Sequence, residues 1–203
     1  MPIKKNREHV VSGYEATAEE FAVDAKRDLK INEPTREKFL SLLPNNEIVL
    51  EIGCGAGWES KWFADQGLKV LAVDPAGKLI KLAQADDHGV DFRTGTVEDV
   101  KETDGLFDGI WCSRVFHHLH SEERPHFIGN AAELLKPAGI LYLNARITEL
   151  ETDTPTMVHF IPRYDISEQG LLKMAAEAGL VLVESRAWEK APPWKEFLFK
   201  KAG

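Results

Sequence analysis

The chain has 203 residues, 43% hydrophobic and 29% charged, with a formal charge of −8, a composition that fits one globular domain burying roughly 70% of its unfolded surface. Disorder, collagen and coiled coil are excluded, and no uninterrupted apolar stretch approaches the ~20 residues of a membrane helix. The acidic balance repels polyanions, so nucleic acid and anionic membranes are disfavoured as partners.

The opening MPIKKNREHVV carries basic residues with no apolar run behind them, which predicts an unsecreted protein. Cys54 and Cys112 are too few for a disulfide framework and suit a reducing compartment, so the expected location is cytoplasmic. Tyr14, Ala18, Phe21, Ala22, Ala25 and Leu29 fall at helical spacing, and a second helix starts near Pro34 and carries Phe39, Leu40 and Leu43. Ile48–Ile52 reads as a buried strand, followed by a glycine turn and a helix with Trp58, Trp62 and Phe63 that stops at Gly67. Strands are predicted again at Lys69–Asp74, 90–93 and Phe107–Cys112, with Leu79 to Ala83 in a helix between the first two.

A helix from about Glu122, with Ser121 as N-cap, buries Phe127, Ile128, Ala131, Leu134 and Leu135 and is ended by Lys136-Pro137-Ala138-Gly139. Strand five is 140–145, and 147–162 loses periodicity, as an excursion or lid over a sheet edge. The last helix is capped near Ser167 and ends at Gly179, and β-like runs at 180–188 and 194–200 flank Pro192-Pro193 as a hairpin. This rhythm predicts an α/β, doubly wound, mostly parallel seven-stranded sheet with an antiparallel C-terminal hairpin. One domain spans 1–203: a helical lead-in over 1–46, a cofactor-binding core over 47–146, the excursion over 147–165, and the last helix and hairpin over 166–203.

In such sheets ligands bind beyond the carboxyl ends of the strands. The turn EIGCGAG lies there, where glycines let the backbone approach a ligand and free amides at a helix start favour an anion or a polar carboxylate. Asp74 ends strand two, where its carboxylate suits the vicinal hydroxyls of a ribose; capping the helix near Ala76 is its other reading. A nicotinamide fingerprint needs glycine at 58, which is Trp58. Glu51 before the turn is misplaced beside a pyrophosphate but suits an ammonium or sulfonium.

The stretches VLEIGCGAG, KVLAVDPA, GTVEDV, FDGIWCSRVFHHL and LLKPAGILYL, in that order over about 47–145, resemble the class I S-adenosylmethionine-dependent methyltransferases, whose fold is Rossmann-like. The ends, YEATAEEF, EAGL and FLFKK, look like that family's N-terminal helix, last helix and closing strand. The resemblance implies S-adenosyl-L-methionine as cofactor. By it, Glu51, Gly53 and Gly55 hold the methionine part, with Cys54 and Gly57 in the same turn, and Asp74 and Pro75 meet the ribose. Thr96 to Asp99 occupy the adenine turn, whose frequent Gly-Asp-Ala opening is Gly95-Thr96-Val97 here. The backbone of Val97 and Glu98 would meet the adenine edge, a carboxylate of Glu98 or Asp99 its amine, and Cys112 and Ser113 would close the site from below.

Methyl transfer is an in-line displacement accelerated chiefly by alignment, so a general base is optional. His117 and His118 follow strand four and are the candidate catalytic bases, with local packing as the competing role. They form no metal site with His120 and His126, because the spacing lacks an HxxxH or carboxylate pairing. Tyr14, Arg114, His117, Arg146, His159, Arg163 and Tyr164 are candidates for the acceptor pocket, and the acid-rich run 149–153 is a solvated loop or a steering patch for a cationic acceptor. The expected function is methyl transfer to oxygen, nitrogen or sulfur of a small-molecule acceptor. A cofactor-binding protein without transfer, a tRNA or other nucleic-acid methyltransferase and a nicotinamide dehydrogenase are the competing classes. The fold's usual strand order, 3-2-1-4-5, makes strands one and four neighbours and brings Cys54 towards Cys112.

Overall fold

The computed structural model describes residues 3–29, 33–44, 48–85, 89–149, 152–158, 160–188 and 191–203. Helices α1 (Ile3–Ala16), α2 (Ala18–Asp28) and α3 (Glu33–Leu42) lead in, followed by β1 (Ile48–Ile52), α4 (Trp58–Asp65), β2 (Lys69–Asp74), α5 (Gly77–Gln84), β3 (Asp91–Thr94) and β4 (Phe107–Cys112). Then come α6 (Arg124–Leu134), β5 (Leu135–Arg146), β6 (Thr156–Val158), β7 (Ile161–Arg163), α7 (Glu168–Glu177), β8 (Leu180–Ala187) and β9 (Trp194–Lys201). The main sheet runs β3-β2-β1-β4-β5-β9-β8. The first five strands pair in parallel, while β9 pairs antiparallel with both β5 and β8, as the alternating pattern and terminal hairpin predict. Strand order reverses between β1 and β4, so the crevice where such folds bind ligands opens above their carboxyl ends.

The central strands are apolar on both faces because helices cover both. One face packs Leu50, Ile52, Ile110, Cys112, Leu141 and Leu143. The other packs Val49, Trp111 and Tyr142 with Phe39 of α3 and Phe63 of α4. Trp111 stacks on Tyr142 with ring centroids 3.7 Å apart, and the Gly109 position leaves room for Phe39, whose ring a Cβ there would meet at 2.4 Å.

Three boundaries differ from expectation. The lead-in holds three helices, because α1 ends where the Thr17 hydroxyl donates to Gly13 O at 3.0 Å and a new helix starts at Ala18. Ser121 is not an N-cap: α6 begins at Arg124 behind Glu123, whose carboxylate accepts the His120 amide at 2.9 Å. Lys136 to Gly139 do not separate helix from strand. They form an irregularity inside β5, where Phe107 pairs with Leu135 but Gly109 with Ile140, and Ala138 sits at φ 64°. Within the excursion, β6 and β7 pair as an antiparallel ribbon. Its return runs beside β5, with Ile166 N–H donating to Arg146 O and Thr148 N–H to Ile166 O. Among the described residues no helix is long and apolar enough to cross a membrane.

Candidate functional site

The glycine turn folds as it does because β1 is central and α4 must start immediately above it. Gly53, Gly55 and Gly57 all have positive φ, at 74°, 54° and 78°, a region costing other residues about 1–2 kcal/mol. A Cβ on Gly53 would also lie 2.1 Å from Val115 Cγ2, and one on Gly57 2.6 Å from the Phe92 ring. Four of the turn's amides are already engaged within the protein. Gly53 and Cys54 donate to Val73 O at 2.8 and 3.1 Å, Gly57 to Cys54 O at 2.8 Å, and Gly55 to Asp74 Oδ2 at 2.9 Å.

Asp74 is held by backbone amides on both sides of the crevice. Its Oδ1 accepts Ala76 N–H at 2.8 Å just before α5 and its Oδ2 accepts Gly55 N–H, leaving each oxygen a second lone pair. Burial raises its pKa to about 6, against the two backbone bonds that lower it. Glu51 is buried beneath the turn, accepts the Ser60 hydroxyl, and is held well above the usual carboxylate range by burial and then by Glu59. A cation placed beside it would favour its ionised form.

These groups share one cavity of about 270 Å³, close to the ~300 Å³ lower bound for small-molecule sites. Of the residues predicted for the cofactor, Glu51, Gly53, Cys54, Gly55, Asp74, Pro75, Val97, Glu98 and Ser113 line it. Gly57, Asp99 and Cys112 do not. Gly57 packs against Phe92 and Ala83; Asp99 closes a capping box with Thr96, its Oδ2 accepting the Thr96 amide at 2.9 Å; Cys112 is fully buried in the core. Cys54 and Cys112 also belong to clusters on opposite sides of the sheet. Strands β1 and β4 are neighbours, but side chains alternate between faces along a strand, so adjacency does not bring the thiols together. Both are free and buried, and burial pushes both pKa values up.

The cavity is covered by α1 and α2. Trp58 donates from Nε1 to Ala22 O at 2.8 Å, fixing α2 over the turn. Arg7 bonds Glu98 at 2.8 Å and also Glu123, tying α1 to the turn after β3 and the start of α6. Asn6 donates to His118 O at 3.1 Å and accepts the Tyr164 hydroxyl at 3.0 Å. Arg7, Val10 and Val11 line the cavity and were not read as site residues. The available signal was Asn6, Val10 and Tyr14 at four-residue spacing, one face of a helix.

Of the residues expected for the acceptor pocket, Tyr14, Arg114 and His118 line the cavity, while His117, Arg146, Arg163 and Tyr164 do not. His159, and part of the run 149–153, lie outside the described residues. His118 Nδ1 meets Pro162 O at 2.8 Å and Nε2 meets the Tyr14 hydroxyl at 2.9 Å. Burial lowers its pKa to about 4, so the ring is neutral, and since a carbonyl only accepts, Nδ1 carries the proton. The His117 pKa is held well below the usual imidazole range, by burial first and then by His118 and the nearby arginines. Asn144, unremarked in the sequence, accepts Arg114 N–H at 2.6 Å and donates to Ser113 Oγ at 3.3 Å, holding Arg114 at φ 59°.

The arrangement is that of a Rossmann-like methyltransferase domain. Residues 50–143 match the family model described as a methyltransferase domain. The chain is 36% identical over 118 residues to a ubiquinone biosynthesis O-methyltransferase of Xanthomonas axonopodis pv. citri, covering 55% of this chain and 48% of the relative. It is 38% identical over 103 residues to the protein of the same name from Xanthomonas oryzae pv. oryzae, covering 47% and 41%. The chain thus spans about half the length of the curated relatives it matches. Among solved structures, 1,6-didemethyltoxoflavin-N1-methyltransferase of Burkholderia thailandensis superposes with a TM-score of 0.81 at 20% identity, over 100% of this chain and 92% of that one. Magnesium protoporphyrin IX methyltransferase of Synechocystis does so at 0.63 and 17%, over 97% and 84%. Residues 50–143 thus resemble a methyltransferase domain, and the chain shares the fold of the methyltransferases it superposes on.

The residues present fit S-adenosylmethionine as cofactor. The cavity sets the buried carboxyl of Glu51, bonded to the Ser60 hydroxyl, at one side and the half-used carboxylate of Asp74 at another. Those two suit an ammonium and a pair of ribose hydroxyls respectively.

Proposed function

We propose that the protein transfers a methyl group from S-adenosylmethionine to an oxygen, nitrogen or sulfur of a small-molecule acceptor. When bound, the cofactor supplies an electrophilic methyl on a sulfonium. Glu51 and the glycine turn bind its amino-acid end, Asp74 its ribose, and Val97 and Glu98 flank its base. Trp58, Phe21 and Arg7 keep water from the cavity by seating α1 and α2. Tyr14 and His118 form the wall from which the acceptor approaches. With a pKa near 4, His118 is a weak base at neutral pH, and orienting Tyr14 is the role its geometry favours.

The observation that carries this reading is the single cavity joining Glu51, the glycine turn and Asp74 to the Tyr14–His118 wall. The −8 charge disfavours a nucleic-acid acceptor, and the two free thiols support a cytoplasmic location. The test is calorimetry with S-adenosylmethionine and S-adenosylhomocysteine, then a screen of acceptors with a labelled methyl group. Low-micromolar binding and label transfer are expected. Binding of NADH in place of both compounds would reject the reading, and tight cofactor binding with no transfer to any acceptor would favour a binding protein.

A further inference from the structure

Helix α1 turns one face to the cavity. Arg7, Val10, Val11 and Tyr14 all line it, at the i, i+3, i+4, i+7 spacing that defines one side of a helix. At a rise of about 1.5 Å per residue, Arg7 and Tyr14 lie roughly 10 Å apart along the axis. The two ends of this face are fixed to different parts of the fold. Tyr14 meets His118 at 2.9 Å, at the wall assigned to the acceptor. Arg7 bonds Glu98 in the turn after β3 at 2.8 Å, and Glu123 before α6.

The Arg7 end is built for a flat group. Hydrogen bonds to a guanidinium lie in its plane, so the two carboxylates held by Nη2 and Nε fix the orientation of that plane and leave its faces for contact with a π system. The side chain is 45% exposed, a position at the rim of the cavity. The lining residues next in sequence to Arg7 and its partners are apolar: Val10 and Val11 follow it on α1, Val97 precedes Glu98, and Leu119 and Phe127 stand on either side of Glu123. The two acids expected to meet the adenine amine are otherwise engaged. Asp99 closes the capping box with Thr96 and does not line the cavity. Glu98 is bonded at both oxygens, Oε1 by Arg7 and Oε2 by the Thr96 hydroxyl at 2.5 Å. Apolar walls and one oriented cation suit the face of an aromatic base.

We infer that Arg7 is a binding residue for the cofactor's adenine, its guanidinium laid face-on over the ring as the cover of the base end. The inference rests on the S-adenosylmethionine reading of the same cavity. It gives α1 a second function besides carrying Tyr14 to the acceptor wall, and it assigns selection for an aromatic base to a side chain of the lead-in rather than to the acids after β3.

The test uses the whole chain and two ligands that share the adenine nucleoside, S-adenosylhomocysteine and 5′-methylthioadenosine, titrated by calorimetry. Arg7→Lys keeps the charge that pairs with Glu98 and Glu123 but loses the planar face. It should weaken both ligands at least about threefold, the scale of a part-exposed cation–π contact, and by matching factors. Arg7→Gln should do the same. Lys78→Gln is the control: it removes another tie on α1, Lys78 Nζ to Glu15 O at 2.9 Å, from outside the cavity lining, and should leave both affinities within twofold of wild type. If either Arg7 variant fails to fold, the other decides. Wild-type affinity in Arg7→Lys shows that charge alone matters, an equal loss in Lys78→Gln shows that Arg7 only anchors α1, and a loss confined to S-adenosylhomocysteine places Arg7 at the amino-acid end. Each of these overturns the inference while the cofactor reading stands. Failure of wild type to bind S-adenosylhomocysteine removes the cofactor reading, and the inference with it.

Discussion

The hydroxyl of Tyr14 on α1 donates to Nε2 of His118 at 2.9 Å, across 104 residues of chain. Burial pushes the Tyr14 pKa up to about 12, so the phenol keeps its proton, and neutral His118 is the acceptor. This bond, with Asn6 to His118 O, holds α1 down over the cavity. Tyr14→Phe leaves Nε2 buried and unsatisfied and should cost about 1–3 kcal/mol of stability. Hydrogen exchange should quicken over 3–16 first. Unchanged exchange there would show that α1 is held by other contacts.

Acid stability divides between two groups of opposite sign. His118 has a folded pKa of about 4 against 6.5 unfolded; the unfolded chain takes the proton first, so stability complete above 6.5 is lost as pH falls to 4. Asp74 has a folded pKa of about 6 against 3.8; there the folded chain takes the proton first, so stability rises as pH falls from 6 to 3.8. Each effect is about 3 kcal/mol in scale and they oppose each other. Urea titrations between pH 7 and 4.5 should therefore show Asp74→Asn losing stability more steeply than wild type, and His118→Asn less steeply. Parallel profiles would mean that neither group titrates as its burial implies.

Asp74 also bears on ligand affinity. Asp74→Ala should weaken adenosylhomocysteine binding by roughly 1.5–3 kcal/mol, the range for hydrogen bonds to a charged group. Because the same carboxylate ties Gly55 to Ala76, it should lower stability as well, by about 1–3 kcal/mol. Wild-type affinity should fall below pH 6 as Asp74 protonates, and Asp74→Asn should flatten that slope by up to one proton. Calorimetry across pH 5 to 7.5 measures both.

Gly53→Ala meets two penalties, a φ of 74° and a Cβ 2.1 Å from Val115 Cγ2. Trimming the neighbour, Val115→Ala, relieves only the second. The double variant should therefore recover part of the lost melting temperature and part of the ligand affinity, with the residual near the ~1–2 kcal/mol left-handed cost. Full recovery would mean that the backbone at 53 is unstrained.

Cys54 lines the cavity and Cys112 does not. Alkylation followed by peptide mass mapping should find Cys54 slower in the presence of adenosylhomocysteine and Cys112 inert with or without it. An oxidant should not link the pair, since they pack on opposite sides of the sheet. A Cys54–Cys112 disulfide formed in the folded protein would contradict that placement.

The amino-acid sequence alone determined the strands Ile48–Ile52, Lys69–Asp74 and Phe107–Cys112, the sheet they build and the glycine turn above it. Each is a short apolar run bounded by glycine or acid, a signal complete within a few neighbours. The irregular entry to β5 depended on a distant partner instead, since β4 offered Leu135 a place in its ladder, while the start of α6 was set by the Glu123 carboxylate turned back to His120, a local bond that competes with capping by Ser121. α1 is weakly amphipathic, and it owes its place to Asn6, Arg7 and Tyr14 reaching residues 91 to 158 positions away. The tertiary structure alone decided which face each cysteine joins and that Arg7 meets Glu98 and Glu123. Convergence of side chains from separate segments is set by how α1 packs over the turn after β3 and the start of α6, and no local period encodes it.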